Sequence, residues 1–395
     1  MSFNIALSGL NATSEELGVV SNNIANSGTT GFKGSRTEFG SVYNGGQAGG
    51  VQVSAISQNF DKNGSLTGTG RALDLGLSGA GFFVVKDSKG AESYTRNGMF
   101  TLDSNGFVTT NTGSRLQGYV TDSNNNIQTG NVGDISVSTA PIAAKASTNV
   151  EFISNLDSRE PVVDGVVNPF DPTNPDSYTH SFSTPVYDSQ GNKHTVTQYF
   201  VKTGSNTWDV HAVSNGSTVG TDSITFNTDG TISSGGNYNV TFTPPGASAV
   251  NVAMDLSGVT QYASDFAVST NSADGYTSGQ FSNLRIESDG SVFATYTNGQ
   301  SLLQGQVVLA NFSSPQNLLN VSNTEWQQTF GSGSPVYGTA GKGVFGEISS
   351  GALEGSNVDL TGELVGLMSA QRNYQANTKS IQAFDQVTQS LFQVI

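Results

Sequence analysis

Residues 81–110 read GFFVVKDSKGAESYTRNGMFTLDSNGFVTT, and this stretch decides the fold class. Short apolar or β-branched runs (Gly81 to Val85, Ser93 to Arg96, Met99 to Leu102, Phe107 to Thr110) alternate with Asp87-Ser88-Lys89-Gly90 and Asp103-Ser104-Asn105-Gly106. In such a tetrapeptide the Asp carboxylate bonds its own backbone and the Gly takes positive φ, so each one turns a strand back on itself. The device recurs at Asp188 to Gly191, Asn227 to Gly230 and Glu287 to Gly290, with strand-like flanks such as Ile224-Thr225-Phe226 and Val292 to Tyr296. Regularly spaced short strands predict antiparallel meanders packed as sandwiches or barrels.

Outward from this centre the period changes. Phe3, Leu7, Leu10, Leu17 and Ile24 repeat in a three-four rhythm, which predicts a helix of about 22 residues, roughly 33 Å long. Leu360, Leu364, Leu367, Tyr374, Ile381, Phe392 and Ile395 continue the same rhythm at the other end, and Ser356 to Asp359 reads as a capping box opening that helix. Neither stripe can be buried by one helix alone, so the two are expected to pair with each other and then against other copies.

The rhythm of turns pauses near Pro141 to Ala146 and again between Ser269 and Thr277. The expected architecture is mainly β with α-helical termini. Two nested antiparallel β-domains, sandwich- or barrel-like, are joined to a terminal helix pair that forms a coiled-coil-like inner layer. The boundaries are 1–28 with 360–395 for the helical part and 29–70 with 330–359 for a connecting segment. An inner β-domain spans 71–146 with 276–329, and an inserted outer β-domain spans 147–275.

Composition narrows the function classes. The 395 residues carry a formal charge of −15, which repels phosphate backbones and anionic lipid and argues against nucleic-acid partners. No apolar run approaches the roughly 18 residues of a membrane span, and the N-terminus lacks the pattern of a cleaved Sec signal. With no cysteine there are no disulfides, thiol nucleophiles or Cys-ligated metals. His180, His194 and His211 fall at no metal-binding spacing. Gly64 to Gly70 lacks the Lys of a phosphate loop, Gly79-Ala80-Gly81 lacks the third Gly of a dinucleotide fingerprint, and no turn continues into a calcium loop. No catalytic, cofactor-binding or metal site is expected, and no enzymatic activity.

The segment Asn22-Asn23-Ile24-Ala25-Asn26-Ser27-Gly28-Thr29-Thr30-Gly31-Phe32-Lys33 resembles the N-terminal signature of the flagellar rod and hook axial proteins. Asn357-Val358-Asp359, followed by Gln371, Arg372 and Tyr374, is similar to the matching C-terminal signature. Gly70 to Leu75, Gly81 to Val85 and Tyr94 to Phe100 resemble the β-domain shared by that family. Asn22, Asn23, Ile24, Ala25, Asn26, Thr30, Gly31, Phe32 and Lys33 are therefore its signature residues here. The inserted block at 147–275 favours the hook-building branch over the shorter distal rod branch, and the matched ends leave little room for a secreted glycan hydrolase or adhesin.

The resemblance implies a helical homopolymer, a flexible curved tube acting as a universal joint between rod and filament. It also implies export through the flagellar type III apparatus, and contacts with the distal rod protein, the hook cap protein and the hook–filament junction protein. On this reading the terminal stripes are the self-assembly residues of the inner tube.

Overall fold

Asp87 accepts the backbone N–H groups of Lys89 and Ala91, both at 2.8 Å, while Gly90 adopts φ 91°. Asp103 and Asp188 close their turns the same way. At Asn227 to Gly230 and Glu287 to Gly290 the carboxylate comes instead from the third residue, Asp229 or Asp289, which accepts the N–H of Thr231 or Ser291. These turns set the meander in a computed structural model that describes residues 2–44, 47–122 and 125–394.

The chain is mainly β with one helix at each end: α1, Ser2–Ala25, and α2, Leu360–Val394. It divides into two units. The first comprises residues 1–139, 283–295 and 301–395, and the second comprises residues 140–282 and 296–300.

In the first unit the later half of the chain completes a sheet begun by the earlier half. Strand Ser301–Asn311 pairs with Ser291–Tyr296, with Arg115–Thr121 and, through Leu309 and Ala310, with Phe83 and Phe82. Val307, Val308, Leu309 and Ala310 are all buried, which fits a strand covered on both faces. Phe60, Phe82, Tyr94, Phe312 and Trp326 meet edge to face in one core, the arrangement aromatic quadrupoles favour. After this sheet the chain runs back along its own beginning: Glu347–Ser350 pairs with Leu75–Ser78, and Ala352–Glu354 with Leu66–Gly68.

Residues between α1 and the sheet form a long hairpin, β1 (Ser35–Asn44) with β2 (Gln47–Gln58), that lies against α1. Gly45 and Gly46, within the expected connecting segment, lie outside the described residues.

The second unit is a sandwich. One sheet is the antiparallel meander from His180 to Ser234. The other gathers Asn149–Asp157, Asn237–Phe242, Val250–Asp255, Thr260–Tyr262 and Ala267–Ala273. Phe152, Phe200, Trp208, Val240 and Met254 share the core between them. This second sheet departs from the all-antiparallel expectation: Asn149–Asp157 runs parallel to both Val250–Asp255 and Thr260–Tyr262. Parallel neighbours need a long crossover, and the whole meander from 180 to 234 supplies it.

Candidate functional site

The two terminal signatures converge. Helices α1 and α2 pack antiparallel, with Gly9 beside the Asn377 side chain at one end and Asn23 beside Glu363 at the other. The seam is made of small residues. Ala6, Ala12, Thr13 and Ala370 are buried, the Thr13 hydroxyl bonds the Gly9 carbonyl at 2.8 Å, and a Cβ on Gly9 would press on Asn377 at 2.8 Å.

The expected stripes are buried only in part within one molecule. Phe3, Leu7, Leu360, Leu364 and Tyr374 are exposed, and Leu10, Leu17, Ile24, Leu367 and Ile381 are only half-buried. Ile395 and the Phe392 side chain lie outside the described residues.

At the C-terminal end of α1 the Asn23 amide acts as a clamp. Its Oδ1 accepts the Ser35 N–H at 2.9 Å, and its Nδ2 donates to the Ser35 carbonyl at 2.7 Å and to Glu363 Oε1 at 3.0 Å. One side chain thus joins α1, the first residue of β1 and the first turn of α2. Asn357 does the same from the other terminus: Oδ1 accepts the Gly34 N–H, and Nδ2 donates to the carbonyls of Asn59 and Lys62, all at 2.8 Å.

Beneath these clamps lies a buried charge cluster. Glu354 Oε1 accepts Lys33 Nζ at 2.8 Å and the Gly64 N–H at 3.0 Å, and Oε2 accepts Arg96 at 3.1 Å. The side chains of Lys33 and Glu354 are fully buried and that of Arg96 nearly so. Lys33 Nζ also donates to the Lys62 carbonyl, and Arg96 to the Gly79 carbonyl. Burial, with Arg96 alongside, pushes the Lys33 ammonium below the usual lysine range, and burial lowers Arg96 too. The carboxylate opposes both shifts.

Gly31 makes the close approach possible. Its φ is 71°, and a Cβ there would meet the Arg96 and Asn97 backbone at 2.6 Å. Its N–H donates to the Glu354 carbonyl.

The remaining signature residues divide. Asn22 and Asn26 bond each other at the end of α1, and the hydroxyl that ties to Asn26 belongs to Thr29 rather than Thr30. Phe32 is buried, a Cβ on Gly34 would meet Val358, and Ile24 is half-buried beside an exposed Ala25. Asp359, not Ser356, caps α2 by accepting the Thr361 N–H, because the bonds of Asn357 keep the preceding backbone out of the helix. Gln371, Arg372 and Tyr374 are exposed along α2, away from the junction.

Pattern reading met Arg96 inside the Tyr94 to Phe100 block and Gly64 inside Gly64 to Gly70, but gave neither of them, nor Glu354 or Glu363, a part in this junction. The one available hint was a lone charge in each of two Gly-rich or apolar runs.

In the second unit each histidine has its own partner. His180 stacks on Phe266 at 4.5 Å, His211 on Phe170 at 4.1 Å, and His194 Nε2 meets Asp188 Oδ2 at 3.0 Å. Among the described residues no three His, Cys, Asp or Glu side chains are grouped to hold a metal ion.

Four family descriptions match in order along the chain. They are "Flagella basal body rod protein" at 3–33, "Flagellar hook protein FlgE/F/G D1 domain" at 76–140, "Flagellar basal body protein FlaE D2 domain" at 155–276 and "Flagellar basal body rod FlgEFG protein C-terminal" at 349–394. The chain is 40% identical to flagellar hook protein FlgE of Salmonella typhimurium over 99% of both chains, and 40% identical to that of Escherichia coli K12 at the same coverage. It is 30% identical to the protein of the same name from Borreliella burgdorferi, over 98% of this chain and 97% of that one. A crystal structure of Helicobacter pylori flagellar hook protein FlgE2 superposes with a TM-score of 0.56 at 14% identity, covering 73% of this chain and all of the other, which is a likeness of fold.

Proposed function

The chain belongs to the flagellar hook protein family, a family of structural flagellar subunits, and from that premise we propose that the junction and the helix pair make it a self-assembling, non-enzymatic joint. The observation that carries this reading is the outward apolar face of the helix pair. Leu7, Leu360, Leu364, Val365 and Met368 are exposed beside a seam that is already closed by small residues. A helix face with this much apolar surface is buried by other copies, each leucine, already more than half covered, contributing about 1 kcal/mol on further burial.

In the proposed division of labour, residues 1–28 and 360–395 line the inner tube and 29–70 with 330–359 connect it to the outer layers. The β-domain of 71–146 with 276–329 forms the next layer, and the insertion at 147–275 the outermost. The junction transmits torque because Asn23, Asn357 and the Lys33–Glu354–Arg96 cluster tie helix, hairpin and sheet together through side chains in place of a flexible linker. The subunit leaves the cell through the type III apparatus. It meets the distal rod protein at one end of the tube, the hook cap protein during growth, and the hook–filament junction protein at the other end.

Leu364→Asp tests this. The variant is expected to keep both β units folded, by circular dichroism, and to assemble no hooks by electron microscopy of basal bodies. Normal hooks from it would remove the helix face from the assembly.

A further inference from the structure

Six Asn–Gly pairs occur in this chain, beginning at Asn44, Asn63, Asn97, Asn105, Asn215 and Asn298. Such a pair carries its own nucleophile and electrophile: the Gly nitrogen and the Asn side-chain carbonyl carbon, with no Cβ on the glycine to crowd the approach. The fold decides which pair is free to react.

Gly45 lies outside the described residues. Asn63 Oδ1 accepts Arg96 at 3.4 Å, and the Gly64 N–H is engaged by Glu354 at 3.0 Å. Asn97 Oδ1 accepts the Met99 N–H at 3.1 Å, and Gly98 is pressed against the Leu75 backbone with no room for a Cβ. The Gly106 N–H donates to the Asp103 carbonyl at 3.1 Å. Asn298 is held on both sides, its Nδ2 donating to the Thr277 carbonyl at 2.6 Å and its Oδ1 accepting the Gln300 N–H at 3.1 Å, while the Gly299 N–H donates to the Tyr296 carbonyl.

Asn215 differs. With Gly216 it forms the two-residue turn between strands Thr207–Ser214 and Ser217–Phe226, at φ 49° and 76°. Both residues are exposed. Among the described residues neither the Asn215 amide nor the Gly216 N–H has a hydrogen-bond partner, and nothing lies within 4 Å of a Cβ placed on Gly216. The tip must open for the ring to close, and the ladder permits that. A register shift between Ala212 and Val213 leaves only Val213–Thr218 and Ser214–Ser217 beyond it, so the tip opens without unzipping the meander.

We propose that Asn215–Gly216 is a site of spontaneous deamidation. The Gly216 nitrogen bonds to the Asn215 side-chain carbon, the side-chain nitrogen leaves as ammonia, and water opens the five-membered imide to aspartate or isoaspartate. Each event adds one negative charge to a chain already at −15, and the isomer lengthens a two-residue turn by one main-chain carbon.

The test incubates the full-length chain in mildly alkaline buffer, folded and in concentrated urea. Mass spectrometry of the Asn–Gly peptides follows conversion of amide to acid, and isoaspartate methyltransferase labelling reports the isomer. In the folded chain Asn215 is expected to convert about tenfold faster than Asn63, Asn97, Asn105 or Asn298, and in urea the five are expected to converge. Asn215→Gln, whose longer side chain closes a slower six-membered ring, is expected to remove the leading isoaspartate signal. Asn215 left intact while another of the five converts overturns the proposal, as does a folded chain that stays unmodified for as long as the unfolded one needs to react. An equal lead for Asn215 in urea overturns it too, by assigning the preference to neighbouring sequence instead of the fold.

Discussion

Around Trp208 the second unit is an apolar sandwich, with Phe152, Phe200 and Met254 packed between two sheets and one indole N–H answered by Gln261 at 2.7 Å. At the junction of the chain ends, two of the largest fully buried side chains are Lys33 and Arg96, and Glu354 neutralises one of those two charges. The sandwich is built within one continuous stretch apart from the short turn at 296–300, so every strand is present once that stretch is complete. The junction needs residues 321 positions apart, Lys33 and Glu354, before either charge has a partner. Apolar burial tolerates gradual loss, whereas a buried charge network is complete or costly. The sandwich is thus a body that holds its own shape, and the junction is a latch that the C-terminal segment closes.

The sharpest way to break this contrast is Glu354→Ala, which leaves two buried cations facing each other. It is expected to cost the first unit about 3–5 kcal/mol and to leave the second unchanged. Hydrogen exchange read separately on the two units checks this, and equal loss in both would merge what the comparison separates. Gly31→Ala comes next. A Cβ at φ 71° against the Arg96 backbone is expected to cost about 1–3 kcal/mol, again confined to the first unit. In the sandwich, Ile224→Val removes one buried methyl group and is expected to cost about 1 kcal/mol by urea unfolding followed through Trp208 fluorescence.

The smallest effect concerns pH. Hydrogen bonds from the Arg159 side chain and backbone N–H hold Asp157 down at about 2. A depressed carboxylate stabilises the fold above its unfolded value near 4 and loses that contribution as pH falls through about 2. The difference in urea midpoint between the parent and Asp157→Asn should be constant above about pH 5 and shrink progressively as pH falls through about 2. A difference that persists there would assign the effect to packing instead of charge.

Local chemistry was largely legible. The D-S-x-G turns close where pattern reading placed them, and both terminal helices fall on their apolar rhythms. Three features were not legible. The leucine rhythm masks the quiet Ala6, Gly9, Thr13 and Ala370, which are among the buried positions of the two helices. Ser356 looked like the cap of α2, but Asn357 is pulled into the junction and the cap moves to Asp359. Asn149–Asp157 gave no sign of its parallel neighbours, since strand direction depends on what the chain does between them.

By itself the sequence determined where helices, strands and turns lie, because those follow from the periodicity and turn chemistry of neighbouring residues. Only the tertiary structure decided that Lys33, Arg96, Gly64 and Glu354 form one site, and that Leu7, Leu360 and Leu364 are exposed. Ion pairs and helix seams depend on which distant segments the fold brings within about 3 Å of each other, and no local pattern encodes that distance.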